Sequence, residues 1–274
     1  MAISSRINSS LKRKRRMGKL RQTIYYSIFV LFFISLVILS FTSNKLIINN
    51  VAVSGNSAVP KENILSVVEE HLNDKYLWFI RTDNLFLLRN SEIKQQILDE
   101  YKKIKSVKIG FKGLASIGVV VTERTPESIW CKGSPNNQGQ CYFMDKEGFV
   151  FSEAPGFGGN PFPKYFGYLS AENPIGTTYF DAKKYVNMRN FYNSLLNENF
   201  YPQYFYSLSE HEYEVGLYGG GKLKLSDNQS FEKSLLNLKA LVTNGYINNG
   251  EGFVKKINYI DLRYGNKVPF DLND

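Results

Sequence analysis

The run "IYYSIFVLFFISLVILSF", residues 24–41, restricts the fold more than any other stretch, because it carries no charge and no proline over 18 residues. At about 1.5 Å per residue, a helix of that length extends roughly 27 Å, close to the hydrocarbon thickness of a bilayer. The sequence therefore predicts a transmembrane helix over 24–42 behind a basic tail at 1–23. That tail holds Arg6, Lys12, Arg13, Lys14, Arg15, Arg16, Lys19 and Arg21, and no acidic residue precedes Glu62. Cations beside a span resist translocation, which predicts a cytoplasmic N-terminus and an extracytoplasmic remainder. A cleaved signal peptide is the rival reading. Its apolar region usually runs about 7–15 residues to a small-x-small site, and Ser40-Phe41-Thr42 is a poor site of that kind.

The net charge of +9 first suggests a nucleic-acid partner. Eight of the 34 Lys and Arg residues lie in the tail, however, leaving 26 basic against 25 acidic residues in the rest of the chain. A topology signal accounts for "KRKRR" without a further assumption, so the sequence predicts no nucleic-acid binding.

Beyond residue 42, short patterned segments predict an α+β chain. "LIINNVAVSGN" (46–56) is rich in β-branched residues and ends on Gly-Asn, which predicts a strand. Pro60 suits a helix start, and Ile64, Leu65, Val67, Val68 and Leu72 form one apolar face. After the loop "NDKYLWFIRTDNLFLLRN", Ser91 can cap a second helix whose Ile93, Ile97, Leu98 and Tyr101 share a face. Val107, Ile109 and Phe111 then alternate with Ser106, Lys108 and Lys112, a half-buried strand, and "GVVVTER" is another. Residues 46–124 thus read as a β-α-α-β-β unit with two helices on one face of a small sheet.

Residues 125–274 have a different texture and predict a strand-rich mixed α/β domain. "ESIWC", "CYFMD", "GFVFS" and "YFGYL" are strand-like pieces separated by turns, including Asp-Lys-Glu-Gly at 145–148. Helices are expected near 181–198 and 229–243. "EYEVGLY" and "KLKLS" flank Gly219-Gly220-Gly221, which reads as a hairpin turn, because a phosphate loop would lead into a helix. Near the end, "KINYIDLRYGNKVPF" predicts a strand with Ile260, Leu262 and Tyr264 on one face and Asp261 and Arg263 on the other. A tight Gly265-Asn266 turn then leads to a last strand, Lys267–Phe270.

Cys131 and Cys141 are the only cysteines, set in the loop "WCKGSPNNQGQCYF". In an oxidising compartment they can staple the hairpin. Two unpaired thiols and a metal site are the other readings, the metal disfavoured because zinc usually takes four ligands and His71 and His211 lie far off in sequence. Those two histidines read as solvated surface residues. No serine elbow, His-Glu-x-x-His or cysteine-nucleophile signature occurs. Glu69/Glu70 and Asp99/Glu100 are helix neighbours that do not face one another. The sequence predicts a protein without a reaction, a cofactor or a metal, acting by binding.

Taken in order, "LIINNVAVSGN", "NLFLL", "VVVTERTPESIW", "CYFMDKEGFVF" and "INYIDLRYGNKVPF" resemble the bacterial cell-division family FtsQ, called DivIB in many Gram-positive bacteria. The resemblance covers most of residues 20–270. It implies a POTRA domain at 46–124 and a β domain at 125–274. It further implies a single-pass protein of the plasma membrane at the division septum, binding FtsB-like and FtsL-like proteins and acting indirectly on FtsW and FtsI. The family docks FtsB on the final strand. Tyr264 and Phe270 match its aromatic positions there and Arg263 its arginine, so Arg263, Tyr264, Lys267, Val268 and Phe270 are the candidate partner-binding residues. Pro269 lacks an N–H and is the least comfortable member of such an edge. A POTRA-bearing transport component and a membrane-bound cell-wall component are the alternatives.

Overall fold

The computed structural model describes residues 3–41, 47–73, 75–76, 80–81, 83–84, 87–113, 115–169, 171–265 and 267–273. Within these, 3–16, 37–41, 75–76 and 80–81 are described by backbone alone. The basic tail and the apolar run form one continuous helix, α1 (Ile3–Phe41).

The structure overturns the transmembrane helix expected over 24–42. Among the described residues no helix is long and apolar enough to cross a membrane. Helix α1 carries eight Lys and Arg residues, Arg6 to Arg21, before its apolar run begins at Ile24. Residue 42 lies outside the described residues, as do Leu85 and Phe86 of "NLFLL".

The chain divides into two units: residues 1–97 with 107–121, and residues 98–106 with 122–274. The first contains β1 (Asn50–Ser54), α2 (Lys61–Asn73), the two-residue strands β2 (Lys75–Tyr76) and β3 (Ile80–Arg81), and most of α3 (Asn90–Glu100). Two strands complete it, β4 (Ile104–Gly113) and β5 (Ser116–Glu123), giving a sheet of order β1-β5-β4 with β1 parallel to β5. The helical spacing works as expected, since Ile64, Val67 and Val68 of α2 and Ile93 and Ile97 of α3 are buried. Alternation in β4 does not hold to its end. Ile104 and Val107 are buried, but Phe111 is 59% exposed on an edge strand.

The second unit is built on a nine-stranded mixed sheet of order β14-β13-β12-β11-β10-β9-β6-β7-β8. Its strands are β6 (Ser128–Ser134), β7 (Asn137–Met144), β8 (Val150–Glu153), β9 (Lys164–Gly167), β10 (Pro202–Ser207), β11 (Glu212–Leu217), β12 (Lys222–Ser226), β13 (Ile257–Asp261) and β14 (Phe270–Leu272). Helices α4 (Ala182–Asn197), α5 (Phe231–Thr243) and the single turn α6 (Glu251–Val254) fill the connections. Asp181 caps α4 by accepting from the Lys184 amide, and Ser230 caps α5 by accepting from the Lys233 amide. Gly219 and Gly220 adopt φ of +95° and +96°, which closes β11 onto β12 as the sequence predicts.

Period-two alternation sorts each strand between two cores. Trp130, Tyr165, Phe205, Val215 and Leu223 pack with Tyr185, Met188, Phe191 and Leu238 of the helices, while Ile129, Cys131, Phe166 and Cys141 face the opposite side with Phe143, Phe157 and Phe162. Full burial of one such apolar side chain contributes about 1.5–3 kcal/mol. Strand β9 lies in the middle, parallel to β6 on one side and to β10 on the other.

Candidate functional site

A sheet that does not close has two edges, and an edge strand holds unpaired backbone donors and acceptors. Here the edges are β8 and β14.

The β8 edge is covered at its start. The Val150 amide donates to the Thr177 carbonyl at 2.8 Å, and the Val150 carbonyl accepts from the Gly176 amide at 2.8 Å. The Tyr179 amide donates to the Gly148 carbonyl at 2.9 Å, so residues 176–179 run along the outside of the strand start. Asp145 sets the preceding turn by accepting from the Glu147 and Phe149 amides. Its other oxygen accepts from Arg124, whose guanidinium lies 3.8 Å from the Phe149 ring centroid. Gly148 takes φ of +79°, and a Cβ there would meet the Tyr185 ring at 2.7 Å.

The β14 edge is open among the described residues. Strand β14 pairs antiparallel with β13 in the register Ile257↔Leu272, Tyr259↔Asp271 and Ile260↔Phe270. The Pro269 carbonyl accepts from the Asp261 amide and the Asn273 amide donates to the Lys256 carbonyl, so both point inward. Antiparallel alternation then directs the amide and carbonyl of Phe270 and of Leu272 outward. Pro269 accordingly costs this edge nothing, since the N–H it lacks lies on the inward side.

The structure corrects the hairpin expected here. Strand β13 ends at Asp261 and β14 begins at Phe270, so Lys267–Pro269 belong to the connection; the tight turn at Gly265-Asn266 is replaced by a longer loop, with Asn266 outside the described residues. The cause is local: the Asp261 carboxylate accepts from the Arg263 amide at 3.1 Å, and Nε and Nη2 of Arg263 close on the same carboxylate at 2.9 and 2.7 Å. That closure folds the chain back before a second strand can pair.

The five candidate residues are therefore placed differently from one another. Arg263 is held by Asp261 and reaches Glu212 at 3.3 Å. Tyr264 is 54% exposed, with the Arg263 guanidinium 5.8 Å from its ring centroid. Lys267 is exposed. Val268 and Phe270 are half-buried against the core, and so is Leu272, which sequence reasoning missed although it lies two residues beyond Phe270 on the same strand face. Burial pulls the Asp261 carboxyl upward, but the hydrogen bonds and charge of Arg263, with Lys224 nearby, outweigh it and hold the group below the usual carboxylate range. The same pairing raises Arg263.

The remaining chemistry-bearing groups are tied into the fold. Cys131 and Cys141 are directly opposite in β6 and β7 and form a disulfide. His211 Nδ1 lies 2.9 Å from Asp227, which Lys184 also reaches at 3.3 Å. His71 Nδ1 lies 3.0 Å from the Val67 carbonyl in its own helix. Burial pushes the Tyr185 hydroxyl up to about 12, where it shares a 2.6 Å hydrogen bond with Ser128. Among the described residues no group of three or more His, Cys, Asp or Glu could hold a metal ion. Compared with models of known protein families, the chain matches none, and compared with curated proteins it matches none either.

Proposed function

We propose that this protein is a non-catalytic scaffold of bacterial cell division, of the FtsQ/DivIB kind that its sequence resembles. It receives a strand from an FtsB-like partner, held with an FtsL-like one, along the outer edge of β14, and so helps to place and regulate septal cell-wall synthesis by FtsW and FtsI. The observation that carries the reading is the outward-facing backbone of Phe270 and Leu272 at the uncovered end of the nine-stranded sheet. An incoming strand gains affinity from those main-chain groups and specificity from alternate side chains. Tyr264 and Phe270 are the proposed aromatic anchors, flanked by Arg263, Lys267 and Val268. The Cys131–Cys141 disulfide supports residence of the second unit in an oxidising, extracytoplasmic compartment.

The test is a pull-down of the full chain with the FtsB-like protein of the same cell. Phe270→Ala and Tyr264→Ala should each weaken capture by about 1–3 kcal/mol. Unchanged capture by both variants, with folding intact by circular dichroism, removes the β14 edge from the reading. Depletion should give long, unseptated cells, and normal septation argues against the divisome role as a whole.

A further inference from the structure

We infer that Gln229 and Asn237 are positioning residues that lock the loop between β13 and β14 into its partner-ready shape; this rests on the reading of β14 given above. Asp261 of β13 holds the loop at Arg263, but β14 is only three residues long. The loop's other ties come from the residues just before α5 and the first turns of that helix. Gln229, just before the Ser230 cap, donates from Nε2 to the Leu262 carbonyl, and the same nitrogen donates to Ser234 Oγ at 3.0 Å. Two turns along, Asn237 donates from Nδ2 to the Gly265 carbonyl at 3.2 Å. The two contacts bracket Arg263 and Tyr264 on both sides.

Close packing reinforces the bracket. At Gly265 the loop lies beside α5, where a Cβ would stand 3.1 Å from Lys233 Nζ. Leu262 is fully buried and its amide donates to the Lys224 carbonyl at 2.9 Å, which anchors the loop's first residue to β12. Tyr264 projects from between these ties, its ring exposed and its backbone held on both sides. An anchor presented in this way loses less freedom on binding, and preorganisation of that kind strengthens association without adding a contact. Both amides are therefore expected to act on affinity through Tyr264, with no need to touch the partner.

The experiment uses the full chain with the purified extracytoplasmic segment of the same cell's FtsB-like protein as probe, and compares Gln229→Ala, Asn237→Ala, the double variant and Phe270→Ala. Two readouts are taken: Kd, and hydrogen exchange of the Arg263, Tyr264 and Gly265 amides without partner. The double variant should bind about tenfold more weakly and exchange those amides faster, while the amides of β10 and β11 stay protected. Asn237→Asp, which keeps the shape but loses the donor, should behave as Asn237→Ala, whereas a purely steric role predicts rescue. Unchanged exchange in the double variant overturns the inference whatever the partner does. Weakened binding in Phe270→Ala with unchanged binding in the double variant overturns the inference alone. Unchanged binding in every variant overturns the edge reading and the inference with it.

Discussion

The two edges of the nine-stranded sheet face the same physical hazard and meet it in opposite ways. At β8 the outward groups of Val150 are bonded by residues 176–177, and the turn before it is braced by Asp145 and Arg124. At β14 the outward groups of Phe270 and Leu272 have no partner among the described residues, although the side chains on that strand are packed inward. Natural sheets cover, shorten or charge their edges to prevent unwanted pairing. The β14 edge is shortened to three residues, carries Asp271 at its centre and follows Lys267, so it is guarded without being covered. Under the proposed reading, a chain that covers the start of one edge and leaves the other available separates a structural end of the sheet from a working end.

That separation breaks first at β8. Asp145→Ala should cost about 3–5 kcal/mol in denaturant unfolding, because it leaves Arg124 partly buried without its partner and releases two turn amides. A loss below 1 kcal/mol would mean that the brace is decorative. Removing the disulfide with Cys131→Ser and Cys141→Ser together should lower stability by about 2–3 kcal/mol for a loop of this size. Partner binding should not change, because both cysteines lie on the β8 side of the sheet; a fall in affinity would show that the two ends are coupled.

At the β14 end the effects are smaller. Phe270→Ala should lower stability by about 1–2 kcal/mol, since its ring is only half-buried, while Tyr264→Ala should change it by less than about 0.5 kcal/mol. Thermal melts of the two variants measured side by side check the ranking. The smallest effect is a pH dependence. The folded state holds the Asp261 carboxyl below its unfolded value, so it binds fewer protons than the unfolded chain in that range. Its contribution is fully present above the ordinary carboxylate value of about 3.9 and is lost as pH falls through the lower folded value. Asp261→Asn should therefore flatten the acid limb of the stability curve, and an unaltered limb would assign the loss to other carboxylates, Asp227 among them.

Much of the α+β content was legible because it is local. Ile64, Val67 and Val68 mark the buried face of α2 at helical spacing, Asp181 and Ser230 start their helices by capping, and three glycines make the 219–221 turn. The apolar run at 24–41 was legible as composition, yet among the described residues no helix is long and apolar enough to cross a membrane. Strand β10 escaped notice because Tyr204, Phe205 and Tyr206 are all aromatic, so neither face stands out in sequence although only Phe205 is fully buried. At the candidate site the strand β13 was legible. The loop was not, since its shape depends on Asp261 turning back to Arg263 and on the side-chain amides of Gln229, just before α5, and Asn237, within it, some 28 to 33 residues away.

The position of β9 has a consequence in time. Its neighbours on both sides run parallel to it, and parallel strands cannot be joined by a tight turn. One neighbour precedes it by way of β7 and β8, and the other follows by way of α4, so β9 acquires no partner from its immediate surroundings in sequence. Closing such distant pairs is slow, and until it happens Tyr165 and Phe166 lie bare on an unpaired strand. A strand that ends up inside the sheet, and not only those at its edges, is then open to pairing with another copy of the chain until β6 and β10 close on it.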